Sequence, residues 1–207
     1  MSKTEQQPTS DVFLEDLSMS LKRKNHYASI NRIYYKQIIR AQLSGNIVLP
    51  HGLGLNSQEY QALRKAMNDA DLMHKELAWY QKDWTFIRER AQFCAELFSM
   101  QEQERSELIS LLNAYRNQKD PSSEQMAVVI ATACLTKFHL WESLGLADRQ
   151  QLGELIAYNF PKLYALNVNN MRWKRFFYRQ LCEQGGDYIC KSPSCGECRS
   201  YNECFAL

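Results

Sequence analysis

Four cysteines lie close together near the end of this 207-residue chain. They are Cys190, Cys195, Cys198 and Cys204, and they form the pattern C-x4-C-x2-C-x5-C. Thiolates are soft donors that hold zinc ions and iron–sulfur clusters in proteins. Residues 187–207 carry too few apolar side chains to form a core of their own, so we expect this segment to fold around a bound metal.

The spacing of these cysteines distinguishes between metals. Zinc modules commonly pair two short knuckles across a spacer of about a dozen residues or more, and this segment has no such spacer. The first three positions match the plant-type [2Fe–2S] spacing, and the short last gap is similar to the compact run of [4Fe–4S] ferredoxins. The pattern therefore favours an iron–sulfur type of cluster, with structural zinc and unliganded cysteines as the alternatives.

A basic and aromatic segment comes before the cysteines. We predict a helix from about residue 170 to 183, closed by Gly185 and Gly186, on which Trp173, Phe177 and Leu181 share one face. The cations that we assign to the support of the site are Arg172, Lys174, Arg175 and Arg179. They would offset the negative charge of four thiolates or receive an oxyanion. The alternative is an ordinary amphipathic helix with a solvated basic face.

Cys134 and His139 are two further residues with ligand chemistry. On a helix their spacing separates the two side chains by about 140°, so they are not an obvious pair. We expect Cys134 to be a small core residue, because free cysteine is often buried. His139 is either a hydrogen-bonded structural histidine or a metal ligand beside the cluster, and His51, in a glycine-flanked loop, is similarly open.

Glycine and proline are scarce, with eight and five residues. A protein of short strands needs a turn about every 8–12 residues, so the composition argues against an all-β fold, and apolar residues at helical spacing predict an all-α one. The expected helices cover residues 28–43, 103–117, 123–143, 148–159 and 170–183, with one long or two shorter helices over residues 72–99. Another begins at a capping box of Asn56 and Glu59, and a short one begins at Pro161.

We divide the chain into three parts. Residues 1–10 are predicted to be a disordered lead, because they lack apolar content. Residues 11–184 form a single compact helical domain, and residues 185–207 form an irregular four-cysteine tail. A polar turn marks a candidate break near residues 118–122, with serines that can cap the next helix. That helix is apolar on nearly all sides and is expected to be the buried centre of the core.

Charge and hydropathy narrow the functional classes. A net charge of +2 is too small to imply nucleic acid or an anionic membrane as a partner. The most apolar stretch, residues 126–135, is far shorter than the ~20 residues of a membrane span. Seven cysteines, four of them in one cluster, do not suggest an oxidised scaffold. We therefore expect a soluble cytoplasmic protein with reduced thiols.

The C-terminal half of the sequence resembles the NifQ family of nitrogen-fixation proteins. The resemblance is carried by Met171–Cys182, Cys190–Cys195, Cys198 and Cys204-Phe205. It extends upstream through His139–Leu146, Arg149, Leu152 and Asn159–Pro161, so that residues 120–205 are covered well. The first half matches more loosely, through Leu49-Pro50 and Gly54-Leu55.

The resemblance implies a molybdenum–iron–sulfur protein that supplies molybdenum for assembly of the nitrogenase iron–molybdenum cofactor, FeMo-co. It implies a metal carrier rather than an enzyme. The implied ligands of the Mo–Fe–S cluster are Cys190, Cys195, Cys198 and Cys204. The implied partners are the cofactor-assembly scaffold, the nitrogenase iron protein and a source of molybdenum. One hypothesis is that three thiolates hold iron, while the fourth, or His139, completes the coordination of molybdenum.

Two other functional classes remain as alternatives. A helical DNA-repair glycosylase also ends in a compact four-cysteine iron–sulfur loop, but residues 49–54 lack the rest of its helix–hairpin–helix pattern. A zinc-bound adaptor for nucleic acid or protein is the second. Three arginines on one face of a chain with a net charge of +2 are a weak nucleic-acid footprint, so nucleic acid is the less favoured partner.

Overall fold

Residues 30–67 and 98–185, together with Phe93 and Glu96, are the part of the chain that the computed structural model describes. Within them the backbone forms helices joined by turns, without a strand. The helices are α1 (Asn31–Leu43), α2 (Ser57–Met67), α3 (Glu102–Ala114), α4 (Ser123–Cys134), α5 (Leu140–Ser143), α6 (Arg149–Asn159), α7 (Pro161–Leu166) and α8 (Trp173–Gly185). The predicted all-α class is confirmed for these residues.

Helix α4 lies at the centre of the hydrophobic core. Its inaccessible apolar residues are Met126, Ala127, Val129, Ile130, Ala131 and Ala133. It packs against α3 and contacts α5, while α3 also contacts α8, and α6 contacts α7. A helix that is apolar on nearly all sides is stable in water only when other elements cover it. The predicted central position of this helix is confirmed.

A buried polar cluster joins α1 to the turn before α4 and to the end of α6. Asn31 Nδ2 donates hydrogen bonds to Ser122 Oγ at 2.9 Å and to Asn159 Oδ1 at 2.7 Å. In return, Asn159 Nδ2 donates to Asn31 Oδ1 at 2.8 Å. The hydroxyl of Tyr35 donates to the carbonyl of Ser122 at 2.9 Å. Because buried polar groups need partners, this cluster fixes the three elements relative to one another.

The helix predicted over residues 123–143 is wrong in its second half, because α4 ends at Cys134 and α5 is a separate short helix. The carbonyls of Thr136 and Phe138, which a continuous helix would have used internally, accept hydrogen bonds from Lys174 Nζ of α8 at 2.6 and 2.5 Å. The hydroxyl of Thr136 also hydrogen-bonds that of Ser143 at 2.6 Å. A lysine distant in sequence therefore stabilises the break.

The predicted helix start at Asn170 is also displaced, because α8 begins at Trp173. Asn170 has a φ of +48°, in the left-handed region that asparagine tolerates better than most residues. Its carbonyl and side-chain oxygens accept hydrogen bonds from Arg149 Nη2 of α6 at 2.5 and 3.1 Å. Asn170 therefore shapes the turn before α8 instead of beginning the helix.

Two of the predicted helix starts depend on local capping, and the structure confirms both. Asn56 Oδ1 accepts from the Glu59 N–H at 2.9 Å, and Glu59 Oε2 accepts from the Asn56 N–H at 3.0 Å. Asp148 Oδ1 caps α6 by accepting from the Gln151 N–H at 2.8 Å. The expected serine cap of α4 is not formed. Ser122 Oγ instead accepts from Asn31 Nδ2 at 2.9 Å and donates to Asp120 Oδ1 at 2.7 Å.

Several predictions concern other parts of the chain. The lead over residues 1–10, most of the helix over 72–99 and the cysteine tail from residue 186 onward lie outside the described residues. The division near 118–122 also stays a prediction. No helix within the described ranges has the length and apolar character needed to cross a membrane.

Candidate functional site

Helix α8 anchors the region before the cysteines to the core. Trp173 and Phe177 are buried and Leu181 is partly buried, so the predicted apolar face packs inward. Tyr164 of α7 stacks on Trp173 with ring centroids 5.6 Å apart. The helix extends to Gly185, five positions before Cys190. Core packing therefore fixes the helix from which the cysteine segment continues.

The four predicted cluster ligands lie outside the described residues. They are Cys190, Cys195, Cys198 and Cys204. Their assignment as metal ligands stays a prediction. Within residues 30–67 and 98–185, no group of three or more His, Cys, Asp or Glu side chains is placed to hold a metal ion.

Lys174 is directed into the fold. Its ammonium group donates to the carbonyls of Thr136 and Phe138, both in the loop between α4 and α5. Hydrogen bonds from a charged donor contribute about 1.5–3 kcal/mol, more than those between neutral groups. This residue therefore holds the α4–α5 loop against α8, a role that the sequence pattern did not reveal.

The three predicted arginines differ in their surroundings. Arg172 and Arg175 are half-buried. Arg179 has a side chain that is 56% exposed and pairs with Glu183 at 2.7 Å, one helical turn later. An exposed pair of this kind contributes little to stability. Arg179 is accessible to solvent near the C-terminal end of α8. No acidic residue occurs between positions 155 and 182, which leaves this part of the chain cationic.

Cys134 is a core residue, as predicted. Its side chain is buried at the end of α4, and burial raises the pKa of the thiol to about 12, with nearby Lys174 lowering it and Glu104 raising it. The thiol therefore stays protonated at neutral pH. Since the thiolate is the form that binds metals and reacts as a nucleophile, Cys134 is unsuited to either role.

A hydrogen bond between Tyr178 and Glu104 joins α8 to α3. The buried Tyr178 hydroxyl donates to Glu104 Oε1. Burial raises the pKa of the Glu104 carboxyl, while the hydrogen bond from Tyr178 lowers it. Sequence reasoning missed this contact. The sequence indicated only that Tyr178 follows Lys174 by four residues and therefore lies on the same side of a helix. It gave no indication of the contact with Glu104.

His139 is exposed and precedes α5 as its N-cap residue. Its backbone N–H donates to Glu142 Oε2 at 3.0 Å. Because α4 ends at Cys134, the helical angle used to separate Cys134 from His139 does not apply. The two residues are separated instead by burial, one in the core and the other at the surface. The imidazole is exposed to solvent and is not packed in the core. Its role as a metal ligand stays a prediction.

The chain was compared with known proteins. The family model for NifQ matches residues 34–206. Protein NifQ of Azotobacter vinelandii is 40% identical over 175 residues, which cover 84% of this chain and 88% of that protein. Protein NifQ of Klebsiella pneumoniae is 38% identical over 164 residues, covering 78% of this chain and 90% of that protein. No solved structure matches the chain. The chain therefore belongs to the NifQ family of nitrogen-fixation proteins.

Proposed function

We propose that this protein carries molybdenum in a molybdenum–iron–sulfur cluster and donates it for assembly of the nitrogenase iron–molybdenum cofactor. The observation that carries the proposal is the C-x4-C-x2-C-x5-C pattern that follows the core-anchored helix α8 in a chain of the NifQ family. The proposed ligands are Cys190, Cys195, Cys198 and Cys204. The role is that of a carrier and donor rather than an enzyme.

The donor set of the tail fits a cluster of this kind. Thiolates select iron–sulfur clusters and other soft metals over hard cations. Molybdenum enters cells as an oxyanion and has to become sulfur-bound before it joins an iron–sulfur cofactor, and a thiolate-held cluster supplies that sulfur environment. Cys134, which is among the described cysteines, stays protonated in the core and is therefore a poor metal ligand. The chemistry of the chain therefore favours the tail as the carrier site.

The charge of α8 supports an anionic cargo. A cluster held by four thiolates concentrates negative charge, which nearby cations stabilise. Arg172 and Arg175 are half-buried on the helix, and Arg179 is exposed close to its C-terminal end. Lys174 is already engaged with two backbone carbonyls. We therefore assign electrostatic support of the cluster to the three arginines, and structural support of the helix to the lysine.

A donor of molybdenum requires a source and a recipient. We propose that the recipient is the cofactor-assembly scaffold and that the nitrogenase iron protein takes part in the transfer. Both partners are those that the resemblance to the NifQ family implies. The exposed Arg179 of α8 suits an acidic surface on such a partner, because complementary charge speeds association.

The proposed function is tested by anaerobic metal analysis. The protein is expressed with ample molybdate and iron, purified without air, and analysed for molybdenum, iron and zinc. We expect both molybdenum and iron, with a strong loss of metal when any one of the four tail cysteines is replaced by alanine. Cys182→Ala is the matched control, because it removes a cysteine of α8 outside the pattern. A protein that holds only zinc, or no metal, contradicts the proposal.

The same variants test whether the ligands have divided roles. If one cysteine binds molybdenum and three bind iron, one variant should lose molybdenum while it keeps most of its iron. Equal loss of both metals in every variant would contradict that division. His139→Ala should lower molybdenum alone if the imidazole completes its coordination, and unchanged molybdenum would exclude His139 as a ligand.

A further inference from the structure

Three apolar side chains are exposed to solvent within and just after α7. They are Tyr164, Leu166 and Val168, which are 46%, 49% and 83% exposed. Single exposed apolar residues are common on protein surfaces, whereas several of them in one short segment mark an interaction surface. These three residues are named the α7 patch. Residues 161–170, which carry it, include no Asp or Glu.

Contact with α8 fixes one end of the α7 patch. The ring of Tyr164 stacks on the buried ring of Trp173, with centroids 5.6 Å apart and an angle of 27° between the ring planes. The Asn167 N–H donates to the Tyr164 carbonyl at 3.1 Å and closes the turn at the end of α7. The patch is therefore anchored to the core at Tyr164.

Hydrogen bonds also fix the loop that carries Val168. Asn167 Oδ1 accepts from the Met171 N–H at 2.8 Å, and Asn167 Nδ2 donates to the Met171 carbonyl at 3.0 Å. On the other side, Arg149 Nη2 of α6 donates to the carbonyl and side-chain oxygens of Asn170. A surface that is held in one conformation loses little entropy on binding. The loop therefore presents Val168 in a preorganised position.

A fourth apolar side chain lies at the same end of α8. Phe138 is 54% exposed, in the loop between α4 and α5. Its carbonyl accepts a hydrogen bond from Lys174 Nζ, and Lys174 directly follows Trp173, the residue on which Tyr164 stacks. The Phe138 loop is therefore held close to the beginning of α8. Aromatic side chains are enriched in protein–protein interfaces.

Exposed cations accompany the α7 patch. Lys162 is exposed on α7 itself. Arg149 is also exposed, and the oxygens of Asn170 that accept its hydrogen bonds are neutral, so they leave its positive charge in place. The carboxylates of Asp148 and Glu154, which flank it in sequence, accept hydrogen bonds within their own helix. An apolar centre with cations beside it is complementary to an apolar surface with an acidic rim.

The same charges argue against a second copy of this chain as the occupant. Most homodimers use the same surface on both subunits. Such a dimer would bring Lys162 and Arg149 of one subunit towards the same cations of the other, and like charges across an interface oppose binding. An acidic partner of different sequence avoids this repulsion.

We propose that the α7 patch, together with Phe138, is the docking surface for an acidic protein partner. The patch supplies the apolar centre, and Lys162 attracts the acidic rim. The identity of the partner as the recipient of molybdenum or the nitrogenase iron protein rests on the proposed function, whereas the docking surface rests on the exposed side chains. No residue of the patch is a proposed cluster ligand, so variants of the patch should keep their metal.

Biolayer interferometry on the immobilised full-length chain tests the proposal with two purified probes, the cofactor-assembly scaffold and the nitrogenase iron protein. We expect at least one of them to bind, and Val168→Asp to weaken that binding by about tenfold or more, because a few central apolar contacts carry most of an interface's affinity. Met100→Asp is the matched control. Met100 is 84% exposed before α3 and gains the same charge, so this variant should bind within about twofold of the wild type.

A charge reversal tests whether the partner is acidic. Lys162→Glu should weaken binding by about threefold or more, and the loss should shrink at high salt, because salt screens exposed charges. Lys65→Glu is the control, since Lys65 is exposed on α2. Equal binding by these two variants overturns the assignment of an acidic partner.

The remaining results identify other occupants. Binding of neither probe, or equal binding by Val168→Asp and Met100→Asp, overturns the proposal. Self-association of the wild type that Val168→Asp abolishes in analytical ultracentrifugation overturns it in favour of a second copy. Binding to phosphatidylserine vesicles that Val168→Asp abolishes overturns it in favour of a membrane surface. Should Val168→Asp fail to fold, Leu166→Asp replaces it, with the same expected loss.

Anaerobic metal analysis of the same variants distinguishes this proposal from the carrier function. Val168→Asp should hold as much molybdenum and iron as the wild type. If the wild type holds no molybdenum but binds a probe through the patch, the carrier function fails and the docking surface stands. If the wild type holds the cluster but Val168→Asp binds the probe equally well, the docking surface fails and the carrier function stands.

Discussion

At the scale of single residues, Lys174 has a structural role that a basic helix face does not suggest. Its ammonium group satisfies two carbonyls of the α4–α5 loop. Those carbonyls are freed where α4 ends at Cys134. Backbone groups at a helix end need partners from elsewhere, and here a side chain from another helix supplies them. The lysine therefore determines how a loop in the middle of the chain folds.

Replacing this lysine should destabilise the fold. In Lys174→Met the carbonyls of Thr136 and Phe138 lose a charged donor, and we expect the free energy of unfolding to fall by about 1.5–3 kcal/mol. Lys162→Met is the control, because Lys162 is exposed on α7, and it should change stability by less than about 0.5 kcal/mol. Urea unfolding measures both. Equal stability of the two variants would show that the lysine is dispensable for the loop.

The buried thiol of Cys134 should make stability depend on alkaline pH. Burial raises its pKa in the folded protein to about 12, whereas an unfolded thiol titrates near about 8.5. Between these values the unfolded chain has lost a proton that the folded chain keeps. The free energy of unfolding therefore falls as pH rises, by up to about 1.4 kcal/mol per pH unit.

Cys134→Ala removes this dependence without adding a charge. Between about pH 8 and pH 10 we expect the wild type to lose about 2 kcal/mol more of its unfolding free energy than the variant does. The comparison between the two proteins cancels the contributions of tyrosines and lysines that titrate in both. Parallel pH profiles would indicate that the thiol ionises in the folded state as readily as in the unfolded one.

At the scale of elements, the position of α8 depends on contacts with α3 as well as on its aromatic face. Tyr178 donates to the half-buried carboxylate of Glu104, and Phe177 lies within the core. In Tyr178→Phe the carboxylate loses this donor. We expect a loss of about 1.5–3 kcal/mol in unfolding free energy and a further rise in the pKa of Glu104.

A double-mutant cycle isolates the coupling between the two helices. Glu104→Gln keeps an acceptor for the tyrosine hydroxyl but removes the negative charge of the half-buried carboxylate, so it should cost less than Tyr178→Phe. The interaction energy of contacting residues is typically about 0.5–3 kcal/mol. Denaturant unfolding of the two single variants and the double variant gives this energy. An additive cycle would mean that the hydrogen bond does not hold α8 to α3.

Local signals explain which elements could be predicted from the sequence. The starts of α2 and α6 depend on side chains within three residues, Asn56 with Glu59 and Asp148 with Gln151. The end of α4 could not be predicted, because its stabilising partner Lys174 lies 38 positions from Thr136. Propensity and capping report short-range preferences, whereas such a contact depends on tertiary packing.

The same distinction applies to the candidate sites. The cysteine pattern is contiguous in sequence and therefore stands out, as does the family resemblance that it carries. A pocket lined by His51, Tyr60 and Arg64 lies between a loop and a helix, and no spacing rule marks it. Tyr178 and Glu104 are 74 positions apart in the sequence. The sequence could therefore only indicate that Tyr178 lies on one face of a helix.

At the scale of the whole molecule, the described helices share one continuous apolar core. Buried apolar residues from α1 to α8 form one cluster, which extends from Tyr34 to Tyr178. The polar contacts of Asn31, Ser122 and Asn159 join its first and later helices. Burial of this apolar surface stabilises the fold by roughly 25 cal/mol per Å².

Removal of the metal should therefore leave the helical fold intact. In the chain with Cys190, Cys195, Cys198 and Cys204 all replaced by alanine, we expect no bound molybdenum–iron–sulfur cluster. The helical circular dichroism and the thermal midpoint should stay within about 2–4 °C of the wild type, a shift that corresponds to roughly 1 kcal/mol for a chain of this size. Loss of cooperative unfolding in this variant would mean that the cluster is part of the core, and that a donor of molybdenum would have to unfold in order to release it.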